Sequence, residues 1–477
     1  MTGLLIAGTA SDAGKSLVVT GLARALRRRG IRVAPFKSQN MSNNSMVCSD
    51  GAEIGRAQYL QALAAGVEPT SLLNPVLLKP GSDRRSFVVL RGRPAGELAA
   101  GEYATGRAHL AQAAFAAYEE LAAHHDLVLC EGAGSPAEIN LRPGDYVNFG
   151  LAERFDLPVV LAADIDRGGA LAAIFGTHGI VAEADRARLV GYLINKFRGD
   201  EGVLRPGLDE LSRRTGLRSF GVLPWLADVW LDGEDALTIG SRPLRPGTGV
   251  LRVAVVHLPR TSNATDVDAL AAEPGVQVVV TTSPAEVHGA DLVVLPGSRA
   301  TLSDLAWLRE RGLAEAVTAR AAEGRPVVGI CGGYQMLTER ILDDVESGEG
   351  EALGLGLIPG EVRFGAEKVL GRPTGTWRGE PVAGYTIHHG RVHATAGEEF
   401  LAGRRVGAVF GTMWHGAFES DAFRRAFLTE VAAITGSDWR PVEDAPGFAA
   451  RREAMIEGLA DACEHHLDVD ALLEVAG

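Results

Sequence analysis

Gly8-Thr9-Ala10-Ser11-Asp12-Ala13-Gly14-Lys15-Ser16 follows the apolar run Leu4 to Ala7 and leads into the helical pattern Lys15 to Arg29. A glycine turn between a buried strand and a helix start brings backbone N–H groups and the positive helix end to one point, which suits phosphate. Five residues separate the two glycines, one more than in the standard phosphate loop. Gly14-Lys15-Ser16 at a strand-to-helix junction nevertheless keeps the chemistry. Lys15 neutralises β- and γ-phosphates and Ser16 ligates Mg²⁺, with Gly8, Asp12 and Gly14 in the same ATP-binding loop.

Outward from the loop the chain alternates short apolar runs with helical stretches: Ile31 to Pro35, Leu127 to Cys130, Pro158 to Ala162, Leu189 to Ile194 and Phe220 to Leu223, with helical Glu53 to Ala65 among them. Buried parallel strands have this pattern, and right-handed crossovers wind it into a doubly wound α/β sheet. The proline- and glycine-punctuated stretch Ser241 to Gly249 ends it. A second α/β series follows: Arg252 to Val256, Val276 to Val280, Leu292 to Leu295, Val327 to Ile330, Val382 to His388 and Gly407 to Phe410. The expected organisation is an ATP-binding domain over 1–240, a second domain over 250–440, and a helical tail over 441–477 packed on the second domain.

Ligands collect at the carboxyl ends of strands in such sheets. Lys37, beyond Ile31 to Pro35, is placed to reach a phosphate, and Glu131, after Leu127 to Cys130, to hold Mg²⁺ directly or through water. Asp50 is a further Mg²⁺ candidate, although Ser49-Asp50-Gly51 serves equally as a cap and turn. Asn195, ending Leu189 to Ile194, is the candidate for reading the adenine edge, with an ordinary turn asparagine as the plain alternative.

Val327-Val328-Gly329-Ile330-Cys331-Gly332-Gly333-Tyr334-Gln335 repeats the strand–turn–helix plan with a thiol at the turn. It is a nucleophile elbow carrying cysteine: small neighbours permit the strained turn, and the helix N-terminus behind it favours thiolate. The Gly332 N–H can face a developing oxyanion, and the Gly297 region of Leu295-Pro296-Gly297-Ser298 can supply a second donor. For the base, His415 in Gly411-Thr412-Met413-Trp414-His415-Gly416 is best placed, just after a strand, with His388 as competitor. Cys48, Cys130 and Cys463 read as inert buried hydrophobes.

Composition excludes other classes. The 477 residues are 46% hydrophobic and 22% charged, enough for two or three folded domains. A net charge of −13, from 47 basic and 60 acidic side chains, argues against a nucleic-acid partner. The one dense basic run, Arg27-Arg28-Arg29, complements the dipole at a helix end. No apolar run approaches the ~20 residues that span a bilayer, so no membrane partner is expected. The four cysteines lack any Cys-x-x-Cys pair, which points to a reduced, cytoplasmic compartment without a disulfide framework or a protein-bound transition metal. Nothing in the pattern indicates an oligomeric state.

The variant loop spacing resembles dethiobiotin synthetase and its relatives, which phosphorylate carboxylates. The phosphate-loop half, the Cys331 elbow and Trp414-His415-Gly416 together resemble the cobyric acid synthases, glutamine-dependent amidases of the cobalamin pathway, over nearly the whole chain. The most specific segments are Phe36-Lys37-Ser38-Gln39-Asn40-Met41-Ser42-Asn43-Asn44 and Asp50-Gly51-Ala52-Glu53-Ile54-Gly55-Arg56-Ala57-Gln58. They look like that family rather than the related cobyrinic acid a,c-diamide synthases.

The resemblance implies a dethiobiotin-synthetase-like doubly wound domain followed by a class I glutamine amidotransferase-like α/β domain. It implies ATP- and Mg²⁺-dependent amidation of the b, d, e and g carboxylates of adenosylcobyrinic acid a,c-diamide, with glutamine as nitrogen source. An acyl phosphate would form in the first half and a Cys331 thioester in the second. Class I amidotransferases carry His-x-Glu, and Ala417 stands where that glutamate would be; the third triad member is absent on this reading. The runner-up is a diamide synthase or another ATP- and glutamine-dependent ligase. A regulatory ATPase with an inactive amidotransferase-like domain is the alternative of a different class, and intact Cys331 and His415 weigh against it.

Overall fold

The computed structural model describes residues 3–82, 85–99, 107–227, 229–230, 244–348 and 350–477. They fall into two compact units, one comprising Met1–Ser42, Cys48–Leu231 and Arg452–Gly477, the other Asn43–Val47 and Asp232–Arg451. The boundary expected at residue 240 lies outside the described residues.

In the first unit six parallel strands lie side by side in the order Arg218–Pro224, Leu189–Phe197, Val159–Asp164, Gly3–Gly8, Leu127–Glu131, Val33–Phe36. Side chains alternate across a strand, so Leu5 and Ala7 enter one core with Phe36, Tyr118 and Val128, while Leu4 and Ile6 enter another with Val18, Leu22 and Leu26. Burial on both faces is why these strands read as continuous apolar runs. A second, four-stranded sheet of Gln39–Met41, Val76–Ser82, Arg85–Leu90 and Arg93–Ala99 has no counterpart in the sequence reading. The helix expected from Glu53 starts at Arg56, because Glu53–Gly55 is a short strand.

The C-terminal tail does not pack where it was expected. From Arg452 onward the helix Phe448–His466 and the helix Val469–Ala476 belong to the first unit, where Met455, Ile456, Cys463, Leu467 and Leu472 complete the core around Val18, Leu22 and Phe220. Charge fits the same surface: Arg28 binds Glu457, Asp461 (2.7 Å) and Glu464 (3.0 Å), and Arg24 binds Glu453 and Glu457. The solvent-facing pairs of Arg28 contribute little individually, while Arg24 is itself buried; the apolar contacts hold the helix, and the basic side chains are its counter-charge. Ile456→Ala is expected to cost about 3 kcal/mol, lowering the denaturation midpoint of the nucleotide-binding unit. A shift confined to the other unit's transition would contradict this packing.

The second unit is built on seven strands in the order Val276–Thr281, Leu251–Val256, Leu292–Leu295, Val327–Ile330, Val409–Thr412, Gly403–Val406, Glu398–Phe400; the first five are parallel and the last two form an antiparallel edge. The single strand expected over Val382 to His388 is broken at Gly384-Tyr385. Glu380–Ala383 pairs with Thr374–Trp377, and Thr386–Ala394 with Ile358–Gly371, both outside this sheet. The break has a local cause, since Tyr385 pairs its backbone with His415 instead (N to O 2.9 and 2.8 Å). All four cysteines are buried as thiols. Among the described residues no helix is long and apolar enough to cross a membrane.

Candidate functional site

In the first unit the phosphate loop leaves the carboxyl end of Gly3–Gly8, a central strand, and Gly14 opens the helix Lys15–Arg28 in a left-handed conformation (φ 88°). Asp12 also has positive φ (58°), so two turns into the left-handed region fold the loop back towards the helix. Gly8 leaves room for Lys15, whose Nζ would lie 2.8 Å from a Cβ there. That ammonium donates to Ala10 O (3.0 Å) and Gly134 O (3.2 Å), which hold it at the loop.

Beside it, Glu131 gathers three donors. Ser16 Oγ (2.8 Å) and Lys37 Nζ (2.7 Å) donate to Oε1, and Gln61 Nε2 (2.6 Å) donates to Oε2. Burial by itself would push this carboxyl up, but the Lys37 ammonium and the two neutral donors outweigh it and hold Glu131 below the usual carboxylate range. Ser16, Lys37 and Glu131 are thus brought together as the sequence reading placed them. Gln61 was missed; it sits in the helix Arg56–Ala65, where a buried glutamine carries no motif.

Two further candidates have local partners. Asp50 is exposed, and its carboxylate accepts from Ala52 N (2.9 Å), the turn role weighed beside the Mg²⁺ role; none of its described contacts reaches Ser16 or Glu131. Asn195 is buried against Gly14, donates to Ala13 O (3.1 Å) and accepts from Lys196 N (2.9 Å). Its amide braces the phosphate loop. Among the described residues no group of three or more His, Cys, Asp or Glu is set to hold a metal. A hydroxyl and a carboxylate 2.8 Å apart at the phosphate end of a loop are, however, the hard oxygen donors that suit Mg²⁺, which takes few protein ligands and completes its shell with phosphate and water.

In the second unit Cys331 has φ 51° and ψ −109°, a strained conformation for a residue with a Cβ and the mark of a nucleophile elbow. Its N–H donates to Thr412 O (2.8 Å), tying the elbow to the neighbouring strand. The backbones of Gly332 and Ser298 approach so closely that a Cβ on Gly332 would lie 2.6 Å from Ser298 N. A Cβ on Gly297 would lie 3.1 Å from His415 Cε1. Cys331, Gly332, Gly297 and His415 therefore converge.

The ring is oriented by a residue the sequence reading missed. Asp266 Oδ2 is 2.7 Å from His415 Nδ1, and its Oδ1 accepts from Gly416 N at 2.7 Å, so one carboxylate fixes both the imidazole and the backbone beside it. The third triad position is filled, from a turn 149 residues earlier in the chain, and not from the Ala417 position. The available signal was the acid closing the polar run Thr261 to Asp266, just beyond the carboxyl end of Leu251–Val256. Tyr385 stacks on the ring (centroids 5.4 Å, planes 25° apart). Burial opposes protonation of His415, but the Asp266 carboxylate and then the Cys331 sulfur outweigh it and push the imidazole up to about 10. His388 is the opposite case: burial pushes it down to about 4, and its Nδ1 lies 2.8 Å from Gly390 O.

Asp266→Asn is expected to lower kcat for glutamine hydrolysis about 10²-fold or more, because tautomer and orientation are both lost. The sign of the pH effect follows: without the carboxylate, burial lowers the imidazole's pKa and the alkaline limb of kcat moves to lower pH. A kcat–pH profile on both proteins checks this, and an unmoved limb would remove Asp266 from the relay.

The two units match two family profiles. Residues 4–239 match the CobQ/CobB/MinD/ParA nucleotide binding domain, and residues 252–423 the CobB/CobQ-like glutamine amidotransferase domain. The chain is 64% identical to the cobyric acid synthase of Cutibacterium acnes, with 100% of both chains covered. The chain belongs to the cobyric acid synthase family. It is also 57% identical to the cobyric acid synthase of Mycolicibacterium vanbaalenii and 54% identical to that of Mycobacterium tuberculosis, covering 100% of this chain and 97% of each relative. In this chain the match to the nucleotide-binding domain precedes the match to the glutamine amidotransferase domain. The asparagine-rich segment that carried the resemblance to the cobyric acid synthase family is divided: Lys37 serves Glu131 in the first unit, while Asn43 and Asn44 belong to the second.

Proposed function

We propose that this chain converts adenosylcobyrinic acid a,c-diamide to adenosylcobyric acid by ATP- and glutamine-dependent amidation of its b, d, e and g carboxylates. The observation that carries the reading is the pairing, in one chain of this family, of a phosphate loop bearing Lys15 and Ser16 with a Cys331 elbow served by the Asp266–His415 pair.

In the first unit a substrate carboxylate oxygen attacks the γ-phosphorus of ATP, ADP leaves, and an acyl phosphate forms. Lys15 and the loop N–H groups bear the phosphate charge. Ser16 and Glu131 are the residues that would hold Mg²⁺, which when bound neutralises phosphate charge. In the second unit the Cys331 sulfur attacks the glutamine side-chain carbonyl, with the Gly332 and Gly297 backbone facing the oxyanion. The His415 imidazolium gives its proton to the departing nitrogen, releasing ammonia, and water then hydrolyses the thioester. Ammonia attacks the acyl phosphate carbonyl and expels phosphate. The acyl phosphate is wasted if water reaches it before ammonia, so the first site needs shelter from water, whereas the thioester needs water to regenerate Cys331.

Mass spectrometry of the diamide incubated with protein, ATP, Mg²⁺ and glutamine tests the reading, with cobyrinic acid in parallel. Four added amides are expected; conversion of cobyrinic acid only as far as its diamide would select the diamide synthase activity instead. His415→Ala is expected to lose far more glutaminase activity than His388→Ala, since the Asp266 carboxylate stands behind His415 and a backbone carbonyl, Gly390 O, behind His388. The reverse ranking would move the general acid–base to His388.

A further inference from the structure

Within the second unit, Asn43–Val47 lies against both supports of His415. Asn44 Oδ1 accepts from Ala264 N (3.0 Å), the first residue of the short 3-10 helix Ala264–Val267 that carries Asp266. In return Asn263 Oδ1 accepts from Ser45 N (2.9 Å), and Asn43 O accepts from Asn263 N (3.4 Å). The leading N–H groups of a helical turn have no partner inside it, so an acceptor brought from elsewhere in the chain fixes where the turn begins. Asn263 sits in the left-handed region (φ 51°), which asparagine tolerates better than most residues, and so turns its amide towards Ser45. On the other side Val47 packs with Tyr385 and Ile387, and Tyr385 is the residue stacked on and backbone-paired with His415.

We infer that Asn44 is a positioning residue for glutamine hydrolysis: it fixes the start of the Ala264–Val267 turn and thereby holds Asp266 against His415. The inference rests on the reading of Cys331 and His415 as the glutaminase pair. It assigns the end of the asparagine-rich segment to nitrogen release and not to recognition of the corrinoid. Asn44 acts through the carboxylate two residues beyond the N–H it holds.

The test uses the full chain with ATP, Mg²⁺ and the corrinoid diamide, measuring glutamine hydrolysis and, separately, amidation from ammonium chloride. Asn44→Leu is expected to lower kcat for glutamine about tenfold while KM for glutamine changes less than about twofold. Asn44→Asp, which keeps the acceptor, should retain most of kcat. In the Asp266→Asn background Asn44→Leu should add little, because both changes remove one support. Independent, multiplicative losses would overturn the inference, as would a parallel fall in ammonia-dependent amidation. Where Asn44→Leu fails to fold, Asn263→Ala removes the reciprocal bond and carries the same comparisons. Cys331→Ala separates the two levels: if it keeps glutamine hydrolysis, the glutaminase reading itself fails. If it abolishes hydrolysis while Asn44→Leu leaves kcat unchanged, only the role of Asn44 fails.

Discussion

Cys331→Ala is expected to abolish glutamine-dependent amidation, by about 10⁴-fold or more, while amidation from added ammonium salts continues at the parent's rate. The expectation follows from how little else in the second unit could replace the sulfur. Cys331 occupies the strained elbow (φ 51°) at the N-terminus of Gly332–Leu337, and its sulfur is the one among the described residues that acts on the His415 ring beside Asp266. Alanine fills less space than cysteine and keeps the same backbone, so the fold and the oxyanion-facing glycines should survive the change. Glutamine hydrolysis and the two amidation assays, run on one preparation, decide the matter. If ammonia-dependent amidation falls with the glutamine-dependent reaction, nitrogen release and carboxylate activation are not separable as proposed.

Lys15→Ala should remove amidation with both nitrogen sources, by about 10²- to 10³-fold, and leave a folded protein. The Lys15 ammonium is held by two backbone carbonyls, Ala10 O and Gly134 O. Both are neutral acceptors, which a phosphate can displace. Losing those bonds costs the fold about 1 kcal/mol, a small loss beside the loss of a full charge at the β- and γ-phosphates. Glu131 remains saturated by Ser16, Lys37 and Gln61 in the variant, so the rest of the site keeps its geometry. Ammonia-dependent turnover within about tenfold of the parent would show that another cation carries the phosphate charge.

How much of this was legible depends on the range over which each signal acts. Strands such as Leu127–Glu131 and Val327–Ile330 are buried on both faces and announce themselves as apolar runs. Lys15, Ser16 and Cys331 lie at strand ends within motifs of a few residues, and those local patterns survive folding unchanged. Asp266 did not stand out because its partner His415 is 149 residues away and an isolated acid in a polar loop has no period or motif. The tail was misplaced for the same reason: Arg28 meets its carboxylates more than 400 residues downstream, a pairing with separations of 429 to 436. Asp50 shows why such an acid is ambiguous: it stands near a motif, and its described contact is with its own turn. The sheet around Val76–Ser82 escaped because Lys79 lies within it, buried and paired with Glu53 at 2.6 Å, so the strand breaks the apolar pattern that marks its neighbours elsewhere.

The helix that closes the first unit has a consequence for how the chain is made. The ribosome releases the strand Arg218–Pro224 long before Arg452, yet Phe220 and Leu22 share a core with Ile456 and Leu472. At the usual ~5–20 residues per second of synthesis, the nucleotide-binding unit waits on the order of tens of seconds with that apolar face open. The downstream unit, complete at Arg451, can finish folding during the wait. The first half to be translated is thus the last to mature.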